Sequence, residues 1–204
     1  TSVQEIDRYH ITKKDPAYPD YLAIWQFDNV ESIYNTMEAP FWVDAMKDIG
    51  ITFSKIEYVW NPFYYLMRSF RNSPGSTKER VSIIESSSYI LVEALRLTPE
   101  EEPKYAEWCA KYANRIYIPL LMKIPGVNGY DRYRLAGLPP LRKARETNCP
   151  LILQILYFEN ETAFEEYEKS PELASYKKAL KSDISDNLVP QWYVQYQLLK
   201  SWRK

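Results

Sequence analysis

The chain has 204 residues, a formal net charge of -1 and 15% aromatic residues, including 18 Tyr and 6 Trp. That length can bury a sound core as one large domain or two small ones, while the near-neutral charge leaves no basic field for nucleic acid or anionic lipid. Cys109 and Cys149 have neither the number nor the spacing of a disulfide framework or zinc site, and no apolar run approaches the roughly 18 residues of a membrane span, so a reducing, cytoplasmic location is expected.

In chain order, Thr1–Thr12 alternates polar and apolar side chains through Val3, Ile6, Tyr9 and Ile11, which predicts a strand. Pro16 and Pro19 punctuate a turn, and Tyr21–Phe27 (YLAIWQF) is a nearly continuous apolar run, as expected of a strand covered on both faces. Asp28-Asn29 offers N-cap chemistry for a helix from Val30 to about Met37, and beyond Pro40 the residues Phe41, Trp42, Ala45 and Met46 restart a short one. Ile56–Phe70 reads as extended with a break at Asn61-Pro62, and Arg71–Arg80, polar around a central Pro-Gly, reads as a linker. Ser88–Leu97 is a strand. Pro99 and the carboxylates Glu100, Glu101 and Glu102 then open a helix that runs to about Met122, where Ile124-Pro125-Gly126 stops it. Tyr130–Leu135 is a strand, Leu138–Asn148 a basic loop and Leu151–Phe158 (LILQILYF) a buried strand.

Much of this order occurs twice. Asp131-Arg132-Tyr133-Arg134-Leu135 echoes Asp7-Arg8-Tyr9-His10-Ile11, and FENETAFEEYEKSP from Phe158 faces FDNVESIYNTMEAP from Phe27 without a gap. Trp192, Tyr196, Leu198, Ser201 and Trp202 likewise face Trp60, Tyr64, Leu66, Ser69 and Phe70. The expectation is an α+β chain of tandem ferredoxin-like repeats: a partial copy over 1–71, a linker over 72–87 and a complete β-α-β-β-α-β copy over 88–204. The first copy lacks its opening strand and helix, which predicts a natural chain starting about 40 residues earlier.

The segment WCAKYANRIYIPLLMKIPGV followed by DRYRL resembles the EthD-like members of the dimeric α/β-barrel superfamily. The resemblance implies two sheets paired into one barrel, here within a single chain. It also implies a small apolar or aromatic molecule bound between the sheets and cofactor-free lyase, cyclase or oxygenase-like chemistry. Where that family's pattern has His before [IV]-Pro, this chain has Tyr117 before Ile118-Pro119, and a tyrosine with its pKa near 10 is a poor base unless strongly perturbed.

The residues themselves nominate few chemical groups. Glu93, mid-strand among apolar neighbours, is a candidate general base or ligand contact if it faces a barrel lumen, and otherwise a carboxylate paired with Arg132 or Arg134. Tyr117 is a candidate catalytic residue that donates a hydrogen bond to a carbonyl or phenolate or shares the proton work with Glu93, or else a capping or packing residue. Gln26 and Gln154 inside apolar strands suit ligand orientation or a bond to each other, and Tyr193 and Arg134 would line the cavity. His10 is the only histidine, so it alone could give a haem its usual proximal ligand. Arg142, Lys143 and Arg145 would attract an anionic substrate or simply be solvated. No cofactor, metal, nucleic-acid or membrane partner is expected. The aromatic surplus suits a cavity wall or equally a subunit interface, which leaves homodimerisation open, as well as a non-catalytic carrier or assembly protein with a filled barrel.

Overall fold

The computed structural model describes residues 3–40, 44, 47, 62–72, 87–137, 149–185 and 190–203. The second short helix around Trp42, most of the linker and the basic loop with Arg142 lie outside them. The chain divides into two compact units, one formed by Thr1–Val59 with Leu198–Lys204 and the other by Trp60–Gln197.

In the first unit, β1 (Val3–Ile11) and β2 (Tyr21–Phe27) form an antiparallel pair whose register runs from His10↔Tyr21 to Val3↔Phe27. The Asp15 side chain accepts the Ala17 N–H at 2.9 Å in the connecting turn. Tyr21 and Ala23 are exposed, so β2 is open on one side where its apolar run predicts cover on both. Helix α1 (Val30–Glu38) starts where Asn29, in extended backbone, accepts the Ser32 N–H at 2.8 Å. This N-cap satisfies one of the helix's orphan donors.

The second unit contains β3 (Phe63–Arg71), β4 (Tyr89–Leu95), α2 (Glu101–Trp108), a π-wound stretch Cys109–Tyr117, α3 (Ile118–Leu121), β5 (Val127–Gly137), β6 (Ile152–Phe158), α4 (Glu161–Lys169), α5 (Pro171–Asp183) and the first residues of β7 (Trp192–Arg203). Its strands lie in the order β7-β4-β6-β5-β3, each antiparallel to its neighbours. Strand β6 is inserted between β4 and β5, the two strands joined by the first helix, which is the split βαβ pattern expected of a complete repeat. Strand β3 pairs along β5 through Tyr64↔Leu135, Ser69↔Asp131 and Arg71↔Gly129.

The helix from α2 to α3 starts on a reciprocal capping box: Thr98 N–H donates to the Glu101 carboxylate at 2.9 Å, and Glu101 N–H to the Thr98 hydroxyl at 3.2 Å. The sequence predicts one uninterrupted α-helix to Met122, but residues 109–117 are π-wound. Pro119 supplies a reason, since it has no N–H to give and its ring would strike the carbonyl four residues back; widening the preceding turns relieves that clash. The Ile118 N–H accordingly reaches the Ala113 carbonyl, five residues back.

The helices cover one face of the sheet with a core that includes Leu91, Leu95, Trp108, Ile118, Leu156, Phe158 and Leu173. Each such side chain contributes about 1.5–3 kcal/mol by leaving water. Gly126, at φ 77°, makes the turn into β5, and a Cβ there would stand 2.4 Å from the Ala163 Cβ. Gly126→Ala is therefore expected to cost about 2–4 kcal/mol, from left-handed backbone and overpacking together. Urea unfolding checks this, and a loss under about 1 kcal/mol would mean that α4 gives way easily.

Candidate functional site

The register of the second unit sets four polar side chains in one row across the sheet. Tyr193 on β7 is opposite Glu93 on β4, Glu93 is opposite Gln154 on β6, and Gln154 is opposite Arg132 on β5. Residues directly opposite share a face. Here that face is the helix side, because Gln154 meets Tyr176 of α5 and Arg132 meets Asn114 of the π stretch. Glu93 thus points into the layer between sheet and helices, and not away from the helices as a barrel lumen would require.

Within this layer Gln154 is the hub. Its Oε1 accepts from the hydroxyls of Tyr130 and Tyr176, and its Nε2 donates to Glu93 Oε2 at 3.2 Å. Burial raises the Glu93 carboxyl to about 7, with Lys177 and Arg132 opposing the rise and Glu168 adding to it. Burial likewise pushes the phenols of Tyr105, Tyr130, Tyr167 and Tyr176 above their ordinary value, so they stay neutral donors. Arg132 completes the row: Nε donates to the Tyr130 hydroxyl at 3.0 Å and Nη1 to Asn114 Oδ1 at 2.8 Å. The arrangement joins one proton-accepting carboxyl, neutral phenols and a fixed cation through a single amide.

The opposite face of the same sheet holds a separate buried cluster. Asp131 ion-pairs with Arg71 at 2.7 Å, accepts from the Ser69 hydroxyl at 2.6 Å, and takes the hydroxyls of Tyr133 and Tyr157 at 3.2 and 3.1 Å. Arg71 and Ser69 lie on β3, so the cluster fastens that strand to β5.

The other nominated residues are scattered. Tyr193 reaches Glu168 through its hydroxyl, and Lys177 lies 4.4 Å from its ring centroid. Arg134 pairs with Glu102 at 2.5 Å and reaches the Tyr65 hydroxyl at 3.4 Å, so it is not the partner of Glu93. Tyr117 stacks on Trp108 at 5.8 Å and meets Tyr176 edge-on at 6.1 Å. Tyr117→Phe should therefore change stability by less than about 0.5 kcal/mol. A larger loss in thermal unfolding would give the hydroxyl a role. His10 and Gln26 are on β1 and β2 of the first unit, where His10 lies edge-on to Tyr21 at 4.9 Å. Among the described residues no cluster of His, Cys, Asp and Glu could hold a metal ion, and no helix is long and apolar enough to cross a membrane.

Asn114, Tyr130, Tyr105 and Tyr176 were not singled out by the sequence. Tyr130 and Arg132 were legible in principle, since alternation along β5 puts them on the face opposite Asp131 and Tyr133. Asn114 depends on the π winding, which α-helical spacing does not anticipate. An open surface depression of about 420 Å³, lined by Lys123, Pro125, Glu166, Lys169 and Glu172 among others, shares no residue with the Glu93 row.

No protein-family model matches the chain, and no characterised protein matches it in sequence. Solved structures do share its fold. An anthrone oxidase-like protein matches with a TM-score of 0.63 and 9% identity over 100% of this chain and 79% of that one. A protein from Fusobacterium nucleatum subsp. nucleatum provisionally called a monooxygenase matches at 0.60 and 10%, again over 100% and 79%. A major regulator of staphylococcal pathogenesis matches at 0.50 and 10%, over 97% and 86%. At such identities the likeness speaks to fold alone: the chain shares an α+β, ferredoxin-like fold with these proteins.

Proposed function

We propose that this chain binds a small aromatic molecule bearing an acidic C–H and oxidises it without a cofactor, with Glu93 as the proton acceptor. The observation that carries the reading is a buried carboxyl raised to about 7 and joined through Gln154 to neutral phenols. A base with that pKa suits proton abstraction near neutral pH, where an ordinary glutamate is too weak. Loss of the proton to Glu93 leaves an electron-rich ring carbon that dioxygen can oxidise. In balanced form a ring CH₂ becomes C=O, one atom of O₂ enters the ketone and the other leaves as water. The anthrone oxidase-like neighbour supports this choice of test compound.

With anthrone as the probe, oxygen uptake and quinone absorbance should rise with pH through about 7, and Glu93→Gln should lower the rate at least about a hundredfold. Oxygen uptake no faster than that of Glu93→Gln at every pH would overturn the reading.

The second reading is a non-catalytic carrier or assembly protein. Its support is that Glu93, Gln154, Tyr130 and Tyr176 already bond to one another as a polar core would. We also infer the tandem duplication. Asn29 and Asn160 cap their nine-residue helices in the same extended conformation, φ -161° and -154°, and Asp7 and Asp131 are buried at corresponding positions of β1 and β5. A natural relative carrying one copy and pairing as a homodimer would support this inference. Halves that trace unrelated paths would contradict it.

A further inference from the structure

We propose that Arg132 and Tyr105 form a binding subsite for the anionic oxygen of an aromatic ligand, whether phenolate, enolate or carboxylate. The proposal rests on the site reading above and deepens it by naming the ligand's charge. Both side chains are 2% exposed. Arg132 spends Nε on the Tyr130 hydroxyl and Nη1 on the Asn114 amide oxygen, while Nη2 has no partner among the described residues. The Tyr105 hydroxyl, whose ring centroid lies 5.8 Å from the Arg132 guanidinium carbon, meets the Cys109 thiol and has no oxygen or nitrogen partner among the described residues.

A guanidinium cannot shed its charge, and a buried one costs several kcal/mol unless an anion offsets it. Each acceptor that Arg132 has is neutral, and among the described residues it makes no ion pair. Gln154 stands between it and Glu93 in the cross-strand row, so the row's carboxylate lies one strand further on. Two of the three nitrogens are anchored, which holds the third in a fixed direction. Donors fixed in this way stabilise charge that develops on a ligand oxygen without having to reorganise. The row therefore sets a proton acceptor on β4 and a fixed cation on β5, with Gln154 between them.

The test is equilibrium binding of 2-naphthoate and 2-naphthamide, which match in shape and differ in charge, to the wild-type chain, Tyr105→Phe and Arg132→Gln. The wild-type chain should bind the carboxylate at least about tenfold more tightly than the amide. Tyr105→Phe should narrow that ratio severalfold, and Arg132→Gln, folded by circular dichroism, should bring it to one. A wild-type ratio of one, or a ratio untouched by both substitutions, overturns the subsite. Should Arg132→Gln fail to fold, the wild-type ratio and its change in Tyr105→Phe decide. Binding needs no turnover, so an absence of oxygenation with the preference intact would sink only the catalytic reading, and the converse would sink only the subsite.

Discussion

Arg71→Met is expected to destabilise the protein by about 3–5 kcal/mol, the usual cost of removing one member of a buried ion pair. Asp131 is completely buried, and Arg71 is its counter-ion at 2.7 Å. The hydroxyls of Ser69, Tyr133 and Tyr157 bond the same carboxylate but carry no charge with which to replace the guanidinium. Arg71 also donates to the carbonyls of Phe70 and Tyr130 at 2.8 and 3.2 Å, so its loss weakens the pairing of β3 with β5. Combining Arg71→Met with Asp131→Leu should recover much of the loss, since replacing both partners removes the stranded charge. Urea unfolding of the two single variants and the double variant measures this coupling. A loss under about 1 kcal/mol in Arg71→Met would mean that β3 is held by backbone pairing alone.

Glu93→Gln should do the reverse, and only above a certain pH. The carboxyl titrates near 4.5 in the unfolded chain and near 7 in the folded one. Between those values the folded chain holds more protons than the unfolded chain, so stability falls as pH rises through the window; below it nothing is lost, and above it the full loss stays constant. At 1.36 kcal/mol per pKa unit, the cost above pH 7 is on the order of 3 kcal/mol. Glutamine keeps the shape and cannot ionise. At pH 8 Glu93→Gln should therefore be the more stable protein by an amount of that order, and at pH 4 the two should agree within about 1 kcal/mol. Equal stabilities at both pH values would show that the buried carboxyl costs the fold nothing. If the same substitution abolishes oxygen uptake, the site trades stability for activity, as strained functional groups commonly do.

The elements were more legible in the sequence than the site. Asn29, the Pro125-Gly126 stop and the LILQILYF run act through neighbours in the chain, and each stands where local chemistry puts it. Phe63–Arg71 was readable as a strand, but its partner was not, because pairing with β5 depends on Asp131 meeting Ser69 and Arg71 some 60 residues away. Glu93 and Gln154 stood out as polar residues in apolar strands. Their direction could not be read, since alternation tells which residues share a face and not which face the helices cover. Arg132 and Arg134 were both readable as partners of Glu93, but DRYRL does not separate them: only the burial of Arg132 beside Tyr130 and Asn114 distinguishes it from Arg134, which reaches solvent and Glu102.

The most direct test is carbon-13 NMR of protein labelled at the glutamate carboxyl carbons, followed from pH 4 to 9. One carboxyl should titrate near pH 7, and its signal should be missing from Glu93→Gln. A Glu93 signal titrating at 4.5 or below would contradict a buried proton acceptor between sheet and helices, and with it the function proposed for the row.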